Sequence, residues 1–335
     1  MNLHYLLPLA LLAAACGNDA PAAETGAPDA AEAELPYKIS LAQWSLHKRY
    51  LPEGMFGGQA LASPYEFPAY AKELGFDGVE YVSVIYQGDF EDGPGRAASI
   101  QRVFQRLDSA AAANDIAEVL IMVDAEGELG AMDESERATA VANHKPYIDA
   151  AAASGIPTIR LNAGGESLRV DASPRQAHDQ TVRSLRELGA YAKTKGGVNL
   201  VVENHGGYSS DPVWLRDVMA AVDMDNVGIL PDFANFCRRR VNPTVWEEGC
   251  ADEVPADSIY AAVGMWMPYA HAVSAKSYDF DADGNETKID FARMIDTVRA
   301  YGYDGYIGVE YEGEDIGEED GSARTKALLE RVGRG

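Results

Sequence analysis

Glu203 and His205 stand two positions apart where the apolar run NLVV ends, just before the pair Gly206–Gly207. Side chains in a strand alternate faces, so an acid and an imidazole at this spacing share one face and can act together. Two more acids close other apolar runs: Asp232 follows VGILP, and Glu310 lies in YIGVEY. Carboxylates gathered at one mouth repel and raise one another's pKa unless a cation joins them. If the three strands converge, Glu203, Asp232 and Glu310 are expected to hold a divalent metal; oxygen donors with one imidazole suit Mn, Mg, Co or Zn. The alternative is that each acid pairs with an Arg or Lys of a loop.

The other polar residues that end apolar runs complete a candidate list. Gln43, Trp44, Glu80, Asn162, Asn235 and Glu312 are candidate substrate contacts, Asp124 and Glu126 follow a third run, and Lys276 is placed to stabilise an oxyanion. His271 stands five residues before Lys276, roughly 16 Å lower at ~3.3 Å per residue, and on the opposite face, which makes it structural. His47 and His144 read as surface residues. The run DFDADGNETKID, Asp279 to Asp290, mimics a calcium loop, but its twelfth residue is Asp rather than a bidentate Glu and a strand precedes it, so a polar turn is the better reading.

These candidates need elements to carry them. Eight short apolar or β-branched runs begin at Lys38, Gly78, Glu118, Thr158, Asn199, Val227, His271 and Tyr306, separated by amphipathic stretches such as IQRVFQRLDSAAAA and AHDQTVRSLRELGAYAKT. Eight strand–helix units in about 300 residues predict a (β/α)8 TIM barrel over residues 37–335, a single domain, since parallel strands need crossover helices and eight can close without a free edge. A doubly wound open sheet is the alternative, and no GxGxxG follows the first strand to support it. In a barrel the working groups gather at the carboxyl ends of the strands, where the candidates lie.

The chain has 335 residues, 47% hydrophobic, with 28 basic and 53 acidic residues for a net charge of −25. That charge is spread along the chain and repels polyanions, so nucleic acid is excluded as a partner. Residues 17–36, rich in Ala, Pro, Asp, Glu and Gly, bury too little surface to offset their ordering entropy and read as a tether. Residues 1–16 carry a short apolar core and small residues up to Cys16, an export signal rather than a membrane span. The run LLAAAC resembles the lipobox of bacterial lipoproteins, which implies lipidation at Cys16 and a membrane contact only through that anchor. With Gly17 following, the implied address is periplasmic, at an outer membrane. A secreted soluble form and a buried amino-terminal helix are the alternatives. In an oxidising compartment Cys237 and Cys250 can close the loop that contains them; two unpaired thiols is the other reading.

The segments SLAQWSLHK, GFDGVEYV, VVENHGG, LPDFANF, VSAKSYDFDADG and GYDGYIGVEYEG resemble the xylose-isomerase-like TIM-barrel proteins, sugar phosphate isomerases or epimerases, from about Tyr37 to Val332. The resemblance implies a metal set of Glu, Asp, His and Glu in which the two Glu also move protons. By position these fall on Glu203, Asp232, Ser274 and Glu310, so a serine stands where an imidazole is implied, leaving a position for water or His205. The implied substrate is a small-molecule carbohydrate, and the implied reaction is metal-assisted proton abstraction next to a sugar carbonyl, with Glu203, Glu310, His205 and Lys276 as the catalytic set. A leaving group β to that carbonyl would turn the same carbanion into a keto-glycoside lyase or hydratase. A non-catalytic sugar-binding lipoprotein, with Trp44 and Tyr81 at the mouth, is the third reading.

Overall fold

The computed structural model describes residues 34–242 and 248–335. The export signal, Cys16 and most of the tether fall outside the described residues. Leu35, assigned to the tether's end, packs against the core.

In chain order the strands are β1 Lys38–Ala42, β2 Gly78–Val82, β3 Ala117–Val123, β4 Thr158–Leu161, β5 Asn199–Glu203, β6 Val227–Leu230, β7 Cys237–Arg240, β8 Cys250–Glu253, β9 Val273–Ser277 and β10 Tyr306–Tyr311. Eight form one parallel sheet in the order β6-β5-β4-β3-β2-β1-β10-β9. Its two outer strands meet through the parallel bridges Ile229↔Ala270 and Asp232↔Ser274, with His271 N–H donating to Ile229 O (3.1 Å) and Ser274 N–H to Pro231 O (3.0 Å). The sheet is thereby curled into the barrel, and all eight expected strands are present within a few residues of their expected limits.

The strands are almost wholly buried because helices cover their outer face and side chains fill the inside. The helix Arg96–Ala113 shows how sequence sets this. Ile100, Val103, Phe104, Leu107 and Ala111, at three- and four-residue spacing, are its buried stripe. Local polar residues fix where such helices begin: Asp133, Asp211 and Asp290 each accept backbone N–H groups at a helix start, and Ser173 with Gln176 forms a capping box. Among the described residues no helix is long and apolar enough to cross a membrane.

One element was not expected. The segment after β6 forms the antiparallel hairpin β7–β8, closed by a disulfide between Cys237 and Cys250. His144 departs from its surface reading: it is buried on the inner side of the helix Glu134–Ser154, its Nδ1 2.7 Å from Ala140 O. Tyr81 departs too, for it is fully buried and edges onto Phe67 behind the sheet. It alternates with the inward Glu80, so it cannot face the mouth.

A buried carboxylate centre at the barrel mouth

Three of the candidate acids do converge. One carboxylate oxygen from each of Glu203, Asp232 and Glu310 lies within 4.8 Å of the others, and all three side chains are buried. They come from the ends of β5, β6 and β10, brought to one place because the parallel strands share a direction and the sheet closes between β6 and β9.

Each acid is held. Asp232 Oδ1 accepts the backbone N–H groups of Ala234 and Asn235 at 2.9 and 2.8 Å. Asn235 Nδ2 donates to Glu203 Oε1 at 2.9 Å, while Arg160 Nε stands 2.9 Å from Glu203 Oε2 in an ionic contact rather than an aligned hydrogen bond. Ser274 Oγ lies between Asp232 Oδ2 (2.7 Å) and Glu310 Oε2 (2.9 Å). Lys276 Nζ contacts Asn235 Oδ1 (3.3 Å), Glu310 Oε1 (3.5 Å) and Glu312 Oε2 (3.1 Å). Glu312 also accepts the indole N–H of Trp44 at 2.6 Å.

The turn after β5 supports this arrangement. Gly207 has φ +66°, and a Cβ there would come within 2.4 Å of the Gly165 backbone. Its neighbours Ser209 and Ser210 accept the backbone N–H groups of His205 and Gly206. The buried amide of Asn204 ties β5 to the following loop: Nδ2 donates to Asp232 O and Asn235 O, and Oδ1 accepts from Asp232 N–H.

Burial dominates the electrostatics. It lifts Glu203 to about 7, with Arg160 pulling it back, and lifts Asp232 and Glu310 each to about 6 against the pull of Lys276. His205 is pushed down to about 4 by burial and then by Arg160 and Lys276, so its imidazole is neutral at pH 7. Burial opposes the charge on Lys276, yet Glu310, Glu312 and Asp232 hold its ammonium well above the ordinary lysine range. Asp124 resists burial through Arg160 and stays below its ordinary value.

The remaining candidates divide clearly. Asn162 joins Arg160 and Asp124 in a polar network, Nδ2 to Asp124 Oδ1 at 2.6 Å. Glu126 instead accepts from Tyr147 and Arg96 behind the sheet. Gln43 is buried, its amide used by Pro64 O and Tyr86 OH. Glu80 lies inside the barrel, accepting from Ser40 Oγ at 2.6 Å with its other oxygen unpaired, and burial raises it to about 8. Glycine at 308 makes room for it, since a Cβ there would stand 2.4 Å from Glu80 Oε1. His205 is not in the three-acid group, and Ser274 itself bridges two of the acids. His271 is exposed, with its ring against Gly228 at the start of β6, away from the mouth. Arg160 was missed: its place two residues before Asn162 in β4 puts it on the inner face, a signal that strand alternation carries.

The donor set suits a hard divalent cation. Ser274 has one hydroxyl hydrogen for two short carboxylate contacts, so the second needs a proton or a cation. Around it Asp124, Glu203, Asp232, Glu310 and Glu312 share, among the described residues, the fixed positive charges of Arg160 and Lys276. The acids are all oxygen donors, the chemistry that hard cations prefer.

Residues 68–332 match the family described as Xylose isomerase-like TIM barrel, and the chain belongs to that family. Its fold is shared with 3-keto-D-glucoside 4-epimerase from E. coli in its apo form (TM-score 0.62, 17% identity, covering 88% of this chain and 98% of that one). A D-psicose 3-epimerase solved with D-fructose is similar (TM-score 0.61, 13% identity, 89% and 100% coverage), as is a xylose isomerase-like TIM barrel protein from Mycobacterium smegmatis in complex with magnesium (TM-score 0.58, 20% identity, 89% and 97%). At these identities the likeness is one of fold. A curated relative, the C-glycoside deglycosidase alpha subunit of Arthrobacter globiformis, is 42% identical over 57 residues, which is 16% of either chain.

Proposed function

We propose that this protein is a sugar isomerase/epimerase-like enzyme that removes a proton from the carbon next to a sugar carbonyl with the help of a divalent cation. The observation that carries this reading is the convergence of Glu203, Asp232 and Glu310 within 4.8 Å at one end of the barrel, buried and beside Lys276. Glu203, buried at the end of β5 among these groups, is the carboxylate proposed as the base. Asn235 fixes its orientation. Lys276, 3.5 Å from Glu310, would present its ammonium to an oxyanion, and Glu310 is the second carboxylate proposed to move a proton. Glu203, Asp232 and Glu310, with the Ser274 hydroxyl beside them, would hold the cation; Mg or Mn suits these oxygen donors better than Co or Zn. A bound cation supplies Lewis-acid stabilisation of the charge that builds on the carbonyl oxygen.

The same carbanion supports a second reading, a keto-glycoside lyase: Glu203 takes the proton, the electron pair forms a C=C bond, and the bond to a β-leaving group breaks as that group gains a proton. The short match to a C-glycoside deglycosidase subunit and the export-like leader favour it. We further propose that the protein is exported and anchored through Cys16.

The test is metal analysis of the purified protein, followed by NMR of keto-sugars, 3-keto-glucosides among them, in D2O. Deuterium uptake at a carbon flanking the carbonyl, lost in Glu203→Gln, is the expected result. Release of the aglycone selects the lyase. Tight sugar binding without uptake, with and without metal, would overturn both in favour of a non-catalytic binder.

A further inference from the structure

Among the described residues seven large apolar side chains are exposed, and three of them, Met55, Phe56 and Leu61, lie on the single loop that follows β1. Phe56 is 65% and Leu61 66% exposed. The loop is not loose. Gln59 and Leu61 donate their N–H groups to Lys48 O and Arg49 O, and Ala60 donates to Leu51 O, so the chain folds back onto the turn that carries Trp44 and His47. Phe56 itself sits at φ 46° and Ala60 at φ 50°, the left-handed region that residues other than glycine adopt at a cost. The Phe56 ring is therefore held mostly in water on a backbone that is itself costly.

This loop is continuous with the reaction centre. The Phe56 ring meets Trp44 edge-on with centroids 5.7 Å apart, and His47 stacks on the indole at 4.7 Å. Trp44 Nε1 donates to Glu312, and Glu312 pairs with Lys276. Phe56 is thus one side chain, Trp44, from the carboxylate that touches Lys276. The chemistry changes sharply across that step: carboxylates and cations line the mouth and match hydroxyl groups, whereas Met55, Phe56 and Leu61 offer no hydrogen-bonding side chain. The ligand these two surfaces fit together is polar at one end and apolar at the other.

We propose that Phe56, backed by Trp44, forms a subsite for an aromatic aglycone, so that the substrate is an aryl glycoside rather than a free monosaccharide. This rests on the sugar-carbonyl reading above and names the substrate class of that site. The sugar ring enters the mouth, and the aglycone lies across Phe56, edge or face against it.

Calorimetric titration of the protein with phenyl and methyl 3-keto-β-D-glucopyranoside tests the subsite, and deuterium uptake from D2O on the methyl glycoside separately tests the reaction. The phenyl glycoside is expected to bind about tenfold more tightly than the methyl one. Phe56→Ser should bring that ratio close to one, and Phe56→Tyr, which keeps the ring, should restore it; unchanged melting temperatures establish that both variants fold. A ratio near one in the unaltered protein, a ratio that survives Phe56→Ser, or failure of the phenyl glycoside to bind overturns the subsite. Absence of deuterium uptake with the phenyl preference intact would overturn the reaction and leave the subsite standing.

Discussion

At the scale of residues, the centre depends on which carboxyl groups keep their protons in a nearly dry interior. Glu203→Gln preserves volume and the Asn235 contact but removes the base, so exchange should fall on the order of 10²–10⁴-fold and metal affinity should weaken. Full activity with stoichiometric metal in that variant would remove Glu203 from the mechanism. Glu80 makes a separate prediction. Its folded pKa of about 8 lies above the ordinary 4.5 because of burial, so between these values the folded state keeps a proton that the unfolded chain has released. Stability from this group is present in full below pH 4.5 and is lost as pH rises toward 8. Glu80→Gln removes the titration, so the variant should gain relative to the parent protein between pH 5 and 8, by at most about 5 kcal/mol. Denaturant melts at both pH values check it; a parallel pH dependence in the two proteins would show that Glu80 ionises normally.

At the scale of elements, the hairpin β7–β8 is the part that reaches back to the chemistry. Asn235, which bonds Glu203 and Lys276, is two residues from Cys237, and the Cys237 carbonyl accepts from Gly207 N–H. The Cys237–Cys250 bond closes a loop of sequence separation 13, worth roughly 3 kcal/mol in the chain-entropy picture. Replacing both cysteines with serine should lower stability by about that amount and raise KM more than it lowers kcat, because the segment that carries Asn235 loses its tie. Thermal melts with steady-state kinetics would show it; unchanged melting and KM would make the bond incidental. This hairpin was not legible in the sequence. The runs CRRR and CADE lack the alternating apolar pattern that marks a strand, and the disulfide and their antiparallel partners define them instead.

At the scale of the whole molecule, a net charge of −25 and an apolar amino-terminal run ending in Cys16 bear on where the protein is proposed to work. If the leader is cleaved and Cys16 lipidated, Cys16→Ser should abolish lipid labelling and move the protein from the detergent phase to a soluble fraction. Unchanged partitioning would sink the anchor. The charge also explains why the centre is demanding: further carboxylates beyond the mouth oppose bringing Glu203, Asp232 and Glu310 together, and burial multiplies that cost.

The sequence by itself determined the eight strands, the crossover helices and the candidacy of Glu203, Asp232 and Glu310, because periodicity and the position of a polar residue at a strand end are local properties of the chain. It also marked Lys276, Asn235 and Trp44 as mouth residues on the same ground. Only the tertiary structure decided which of these touch. Arg160 against Glu203, Ser274 between Asp232 and Glu310, and Glu312 between Trp44 and Lys276 are contacts between strands far apart in sequence, set by the register of neighbouring strands and the closure of β6 onto β9. Tyr81 and His144 show the same limit from the other side. A residue type suggests exposure or a binding role, but the face that an element turns inward is fixed by what packs on it.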